Sequence, residues 1–127
     1  MDYKTFMDKV GEQTKIEDES KVVMLVKATF ETLSERIPRT HRDHLAAQLP
    51  EGIKEYLPIN LRVETITLEN FYRRVSNRAD LGYGDAVKYT ADVMWVLKLA
   101  AAEGELKDIL LSFPEEYNQL FKMKVVV

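Results

Sequence analysis

His41 and His44 are the only two histidines in the chain, three residues apart with Asp43 between them. On a helix they share a face, a spacing at which two imidazoles can hold zinc or another divalent cation. A third ligand at a defined spacing is missing, and 64 positions further on the same places carry Glu105 and Asp108. The face therefore reads as polar and solvated, and no metal site is assigned. Carboxylates are densest at Glu17-Asp18-Glu19. General acid or base work needs a pKa moved by burial or by a specific neighbour, whereas this run sits in a polar connector and reads as a solvating loop and helix cap. Gly82-Tyr83-Gly84-Asp85 is a glycine-containing loop ahead of a helix, without the strand and lysine of a phosphate-binding loop. Arg73, Arg74 and Arg78, beside Tyr72, form the densest basic cluster. Three arginines on a helix can contact phosphates, but the corresponding earlier positions are Asp8 and Lys9, and a solvated face with local salt bridges is favoured. With no cysteine there is no thiolate nucleophile, disulfide or cysteine metal site. No catalytic residue and no cofactor are assigned from these patterns, and a non-enzymatic protein is expected.

The bounds are those of one domain. A chain of 127 residues can bury a core without staples. Net charge is −3 with the signs interspersed, which argues against nucleic acid or an anionic membrane as partner. Met1-Asp2-Tyr3-Lys4 lacks the apolar stretch of a signal peptide, and no run reaches membrane-spanning length. A soluble cytoplasmic protein is the expectation.

The elements that would position these side chains are helices, and they come twice. Tyr3, Phe6, Met7 and Val10 follow the spacing i, i+3, i+4, i+7, predicting an amphipathic helix over about Asp2–Glu12 with Asp2 as cap and Gly11 as exit. Leu68, Phe71, Tyr72 and Val75 repeat the spacing 65 positions on. A long helix is predicted from about Asp18 to Arg36, with Lys27, Glu31, Glu35 and Arg36 on its outer face. Pro38 ends it, and Thr40 with Asp43 resembles the cap of the next helix. Its counterpart, 64 positions later, is capped by Asp85 and reaches about Ala102; the loops preceding the two long helices differ by one residue. Leu49-Pro50, with Ile53, Tyr56 and Leu57, answers to Phe113-Pro114, with Tyr117, Leu120 and Phe121. The prediction is an all-α single domain over 1–127. It comprises repeat one (about 2–57), a linker (58–66), repeat two (about 67–121) and a tail (122–127), the repeats packed as one bundle about an approximate two-fold. Pro58–Val63 and Lys122–Val127 alternate apolar and polar residues and could pair as a short two-stranded ladder.

Glu35-Arg36-Ile37-Pro38 and Leu45-Ala46-Ala47-Gln48-Leu49-Pro50, with Gly104-Glu105, Phe113-Pro114 and Leu120-Phe121 in the second half, resemble the bacterial family known as domain of unknown function 2267. The resemblance covers nearly the whole chain and implies a small, helical, duplicated protein. It implies no reaction, cofactor or catalytic residue.

Function is therefore sought where the two copies disagree. Lys27, Glu31 and Glu35 answer to Ala91, Trp95 and Leu99, and Thr32 to Val96. The second long helix has gained an apolar face centred on the only tryptophan. Either the linker or the tail covers Ala91, Trp95, Val96 and Leu99 within the chain, or they form a contact surface for a second copy or a protein partner. Two function classes follow: a non-catalytic protein-interaction module, or a small-molecule sensor with a cavity between the repeats.

Overall fold

The computed structural model describes residues 1–58 and 62–121, leaving aside the side chains of Glu103 and Leu110. Among these residues every regular element is helical: α1 (Tyr3–Thr14), α2 (Glu19–Arg36), α3 (Arg39–Gln48), a 3-10 turn (Lys54–Tyr56), α4 (Leu68–Ala79), α5 (Tyr83–Ala100), α6 (Glu103–Leu111), a second 3-10 turn (Glu115–Tyr117) and α7 (Asn118–Phe121). The suggested ladder between Pro58–Val63 and Lys122–Val127 falls largely outside the described residues.

The helix ends follow local chemistry. The Asp2 carboxylate accepts from the Thr5 amide at 2.8 Å, and Thr67 Oγ1 accepts from the Asn70 amide at 3.1 Å, so α1 and α4 open on side-chain caps. Each closes on a residue in the left-handed region, Lys15 at φ 63° and Asp80 at φ 54°. Their amides donate to the Gly11 and Ser76 carbonyls and satisfy helix-end acceptors. Gly11 is thus inside α1, and the exit lies four residues beyond it. Asp18 opens α2 by accepting from the Ser20 amide and hydroxyl, and these bonds hold its carboxyl below the usual range. By contrast α5 begins at Gly82 without a side-chain cap. Asp85, expected as the cap, lies instead in the first turn, where its charge complements the helix dipole. Similarly α3 starts directly after Pro38, ahead of Thr40, and has no side-chain cap. Pro50 and Pro114 each follow a helix end and precede a 3-10 turn, as a ring that fixes φ and lacks an amide hydrogen requires.

α2 lies on α4 and α5 lies on α1, the two long helices meet each other, and α3 packs against α6. Phe6, Val10, Phe71 and Val75 are fully buried, as are Phe30, Leu33, Val93 and Leu97 of the long helices.

Two polar residues of α2 lie elsewhere than on the water-facing side. Glu35 accepts from Arg78 at 2.6 and 2.9 Å and lies 3.2 Å from Arg74. Arg78 also donates to Thr32 at 2.9 Å. Arg74 holds Glu64 through two hydrogen bonds, and the Glu64 amide donates to the Glu35 carbonyl at 2.7 Å. The arginine cluster is therefore spent in salt bridges, as the sequence favours, but those of Arg74 and Arg78 join α4 to α2. Arg36 is buried, its guanidinium 4.9 Å from the centre of the Phe113 ring and 5.2 Å from that of Tyr117. Those two rings stack at 4.7 Å, so the aromatic residues on either side of Pro114 cover the end of α2. Burial pushes the Tyr117 hydroxyl up to about 12, and it donates to the Ile66 carbonyl.

Candidate functional site

The loops that enter the two long helices meet on one side of the molecule. Residues 15–18 lead from α1 into α2, and residues 80–82 lead from α4 into α5. Both are short and each begins with a left-handed residue, Lys15 and Asp80. Between them lies a cleft of about 620 Å³, within the range of small-molecule sites. Its lining includes Lys15 and Asp80, Ile16 and Leu81, Lys21 and Asp85, and Leu25 and Tyr89. The members of each pair stand 64 or 65 positions apart in the chain. Leu25 and Ala79 are buried at its base, and Ile16, Leu81 and Tyr89 are half-buried. The charged groups stand exposed around it. Of these, Asp18 is held by its capping bonds. Lys15, Lys21, Asp80 and Asp85 make no side-chain hydrogen bond and no ion pair within 4 Å among the described residues. Glu17, also exposed in the lining, makes no such contact either, so the cleft joins an apolar base to five uncommitted charges, two positive and three negative. Three other hollows among the described residues are more open, and one of them, beside Glu35, Arg62 and Glu64, is bordered by the ion-pair network just described.

The two histidines lie at another site. Where α3 meets α6, His41 Nδ1 is 3.7 Å from one Glu105 carboxylate oxygen and His44 Nδ1 is 3.7 Å from the other. Glu105, read from the sequence as part of a solvated face, is largely buried there, its side chain 12% exposed. No group of three or more His, Cys, Asp or Glu among the described residues is placed to hold an ion.

The proposed contact surface is divided by the fold. Val96 is fully buried and belongs to the core, because its side of α5 faces the neighbouring helices. Ala91 is half-buried, and Trp95 packs against the core as a half-buried residue. Only Leu99 is open, at 51% exposure. Trp95→Glu, which installs the residue found at Glu31, is expected to lower stability by about 1–2 kcal/mol, since part of a large ring leaves a packed position. Urea unfolding checks it; an unchanged midpoint with lost self-association would return Trp95 to an interface.

A family model described as an uncharacterized conserved protein (DUF2267) matches residues 3–120. The chain belongs to this family. A search of curated proteins finds no match. The match spans α1 to α7 and so takes in both loops of the cleft, the α3–α6 contact and the half-buried tryptophan. Among the described residues of this DUF2267 protein, no helix is long and apolar enough to cross a membrane.

The sequence suggests a cavity between the repeats as one alternative but does not single out these lining residues, because the two walls are about 65 positions apart. One signal was available: the loops occupy matching places in the two halves, and Lys15 and Lys21 on one side answer to Asp80 and Asp85 on the other.

Proposed function

We propose that this DUF2267 protein is a non-catalytic small-molecule-binding module made by internal duplication, with its site in the cleft between the two repeats. Several observations support the duplication. α1 and α4 have 12 residues each, and α2 and α5 have 18 each. The two left-handed caps fall at matching places, as do the capping residues Asp2 and Thr67. The packing also exchanges consistently: α2 on α4 corresponds to α5 on α1, while α2 with α5 and α3 with α6 map onto themselves. A two-fold axis brings matching positions together only along itself. His41 and Glu105, 64 positions apart, meet at the α3–α6 contact, and the paired lining of the cleft marks a second such place.

The observation that carries the function is the cleft itself, with buried apolar residues beneath charges that make no side-chain hydrogen bond or ion pair among the described residues. The expected result is that at least one member of a panel of polar metabolites raises the melting temperature by several degrees, as binding only the folded state must. Leu81→Trp, which fills the cleft, should abolish that shift while leaving the helical circular dichroism intact. A shift of equal size in the filled variant would place binding elsewhere, and no shift with any compound would remove the reading.

A second reading, a protein-interaction module for another copy or another protein, draws on Leu99, which lies one turn from Trp95 and is 51% exposed. Leu99→Glu would then dissociate a complex in sedimentation, and a wild-type protein that is monomeric and captures no partner would count against it.

A further inference from the structure

We infer that the ligand of the cleft is a small zwitterion, an amine and a carboxylate at opposite ends of an apolar body, of the class of ω-amino acids and short peptides. The inference rests on the cleft being the binding site and goes further by reading its charges. Matching positions of the two loops carry opposite signs: Lys15 answers to Asp80, and Lys21 to Asp85. The lysines come from the side of α1 and α2, and the aspartates from the side of α4 and α5. All four are exposed, and none is paired with another across the cleft. The ammonium donors therefore all stand on the α1–α2 wall, where Glu17 is exposed beside them and Asp18 is held by its capping bonds, while the α4–α5 wall offers carboxylates alone, and Leu25 and Leu81 complete the lining.

Each alternative ligand class meets a group of its own sign. A polyanion such as a nucleoside triphosphate would face Asp80, Asp85 and the exposed Glu17, and a polyamine would face Lys15 and Lys21. A neutral apolar compound would leave these charges partly desolvated without partners. A zwitterion can set its carboxylate at Lys15 and Lys21, which outnumber the exposed Glu17 beside them, and its ammonium at Asp80 and Asp85, and the apolar lining accepts its body.

The test uses ω-amino acids from β-alanine to 8-aminooctanoate, with hexanoate and hexylamine as single-charge controls, titrated into the full chain and followed by amide chemical shifts. At least one ω-amino acid should move the amides of Lys15, Leu81, Asp85 and Tyr89. It should bind about tenfold or more tightly than either control, the scale of one lost charge-assisted contact. Lys21→Glu and Asp85→Lys should each weaken it about tenfold. The double variant should recover most of the affinity, because a zwitterion can turn end for end. Equal affinity for hexanoate, hexylamine and the ω-amino acids would overturn the zwitterion and leave the cleft as a binding site. So would a double variant no better than the singles. If no compound of this series moves the cleft amides, the zwitterion falls; whether the cleft falls with it is read from the metabolite panel and the Leu81→Trp variant.

Discussion

Phe71→Ala is expected to lower the unfolding free energy by about 3–5 kcal/mol, and Phe6→Ala by a comparable amount. Both rings are fully buried. Phe71 meets Tyr72 and Tyr117 edge-on, with centroids 6.3 and 6.0 Å away, and Phe6 lies 5.9 Å from Phe30. Alanine removes those ring contacts and leaves a void that helices anchored at both ends cannot fully close. Since small domains hold only about 5–15 kcal/mol in total, either variant should unfold at a much lower denaturant concentration. Urea titration followed by circular dichroism reads the effect. The matched loss tests more than burial: equivalent positions in two copies of one unit should respond alike. A loss below about 1 kcal/mol at one position and several at the other would set the two halves apart.

The second large effect is expected at Glu35. Glu35→Ala should destabilise by about 2 kcal/mol, between the value of an exposed pair and that of a buried one, because solvent partly screens these groups. It strands Arg78 and Arg74 beside α2, and it removes the carboxylate that joins α2 to α4. The same group gives an acid dependence. Burial pushes the Glu35 carboxyl up, but the hydrogen bonds and charges of Arg78 and Arg74 together outweigh it and hold the folded-state value below the ordinary 4.5. A folded value below the unfolded one means that the unfolded chain binds the proton more readily. The Glu35 contribution is thus fully present above about pH 4.5 and is lost as pH falls through the folded-state value. Wild-type stability should decline in that range, and the decline should be shallower in Glu35→Gln. Identical acid profiles would mean that the Arg74–Arg78–Glu35 network contributes nothing to folding.

Glu35 also marks the boundary of what the sequence makes legible. Helices announce themselves locally: the spacing of Phe6, Met7 and Val10 and of Phe71, Tyr72 and Val75 identifies α1 and α4 and their buried faces. Partners far away in the chain do not. Glu35 was placed toward water because its own helix surrounds it with Lys27 and Glu31, yet its partners lie 39 and 43 positions further on. Arg36 was placed with it for the same reason, and the rings that bury it come from Phe113 and Tyr117. Cap positions were displaced where several candidates stand close together, as at Thr40 and Asp85, since backbone geometry after a proline or glycine selects the first helical residue. Trp95 and Leu99 stand out in the sequence as an apolar departure from Glu31 and Glu35 of the first long helix. How deeply each side chain sits depends on α5's neighbours, which periodicity within one helix cannot report. The cleft is the extreme case. Its base is apolar and its rim charged, but no single stretch contains both walls.

The central claim is that the two loops at Lys15 and Asp80 form one binding site, and an amide chemical-shift map against the polar-metabolite panel tests it most directly. The account predicts that a binding compound perturbs both loops together at one ligand concentration, with changes at Lys15, Ile16, Asp80 and Leu81 fitting a single Kd, and leaves Leu99 unmoved. Perturbations confined to Leu99 and its neighbours on α5, or two loops that respond with separate affinities, would contradict it.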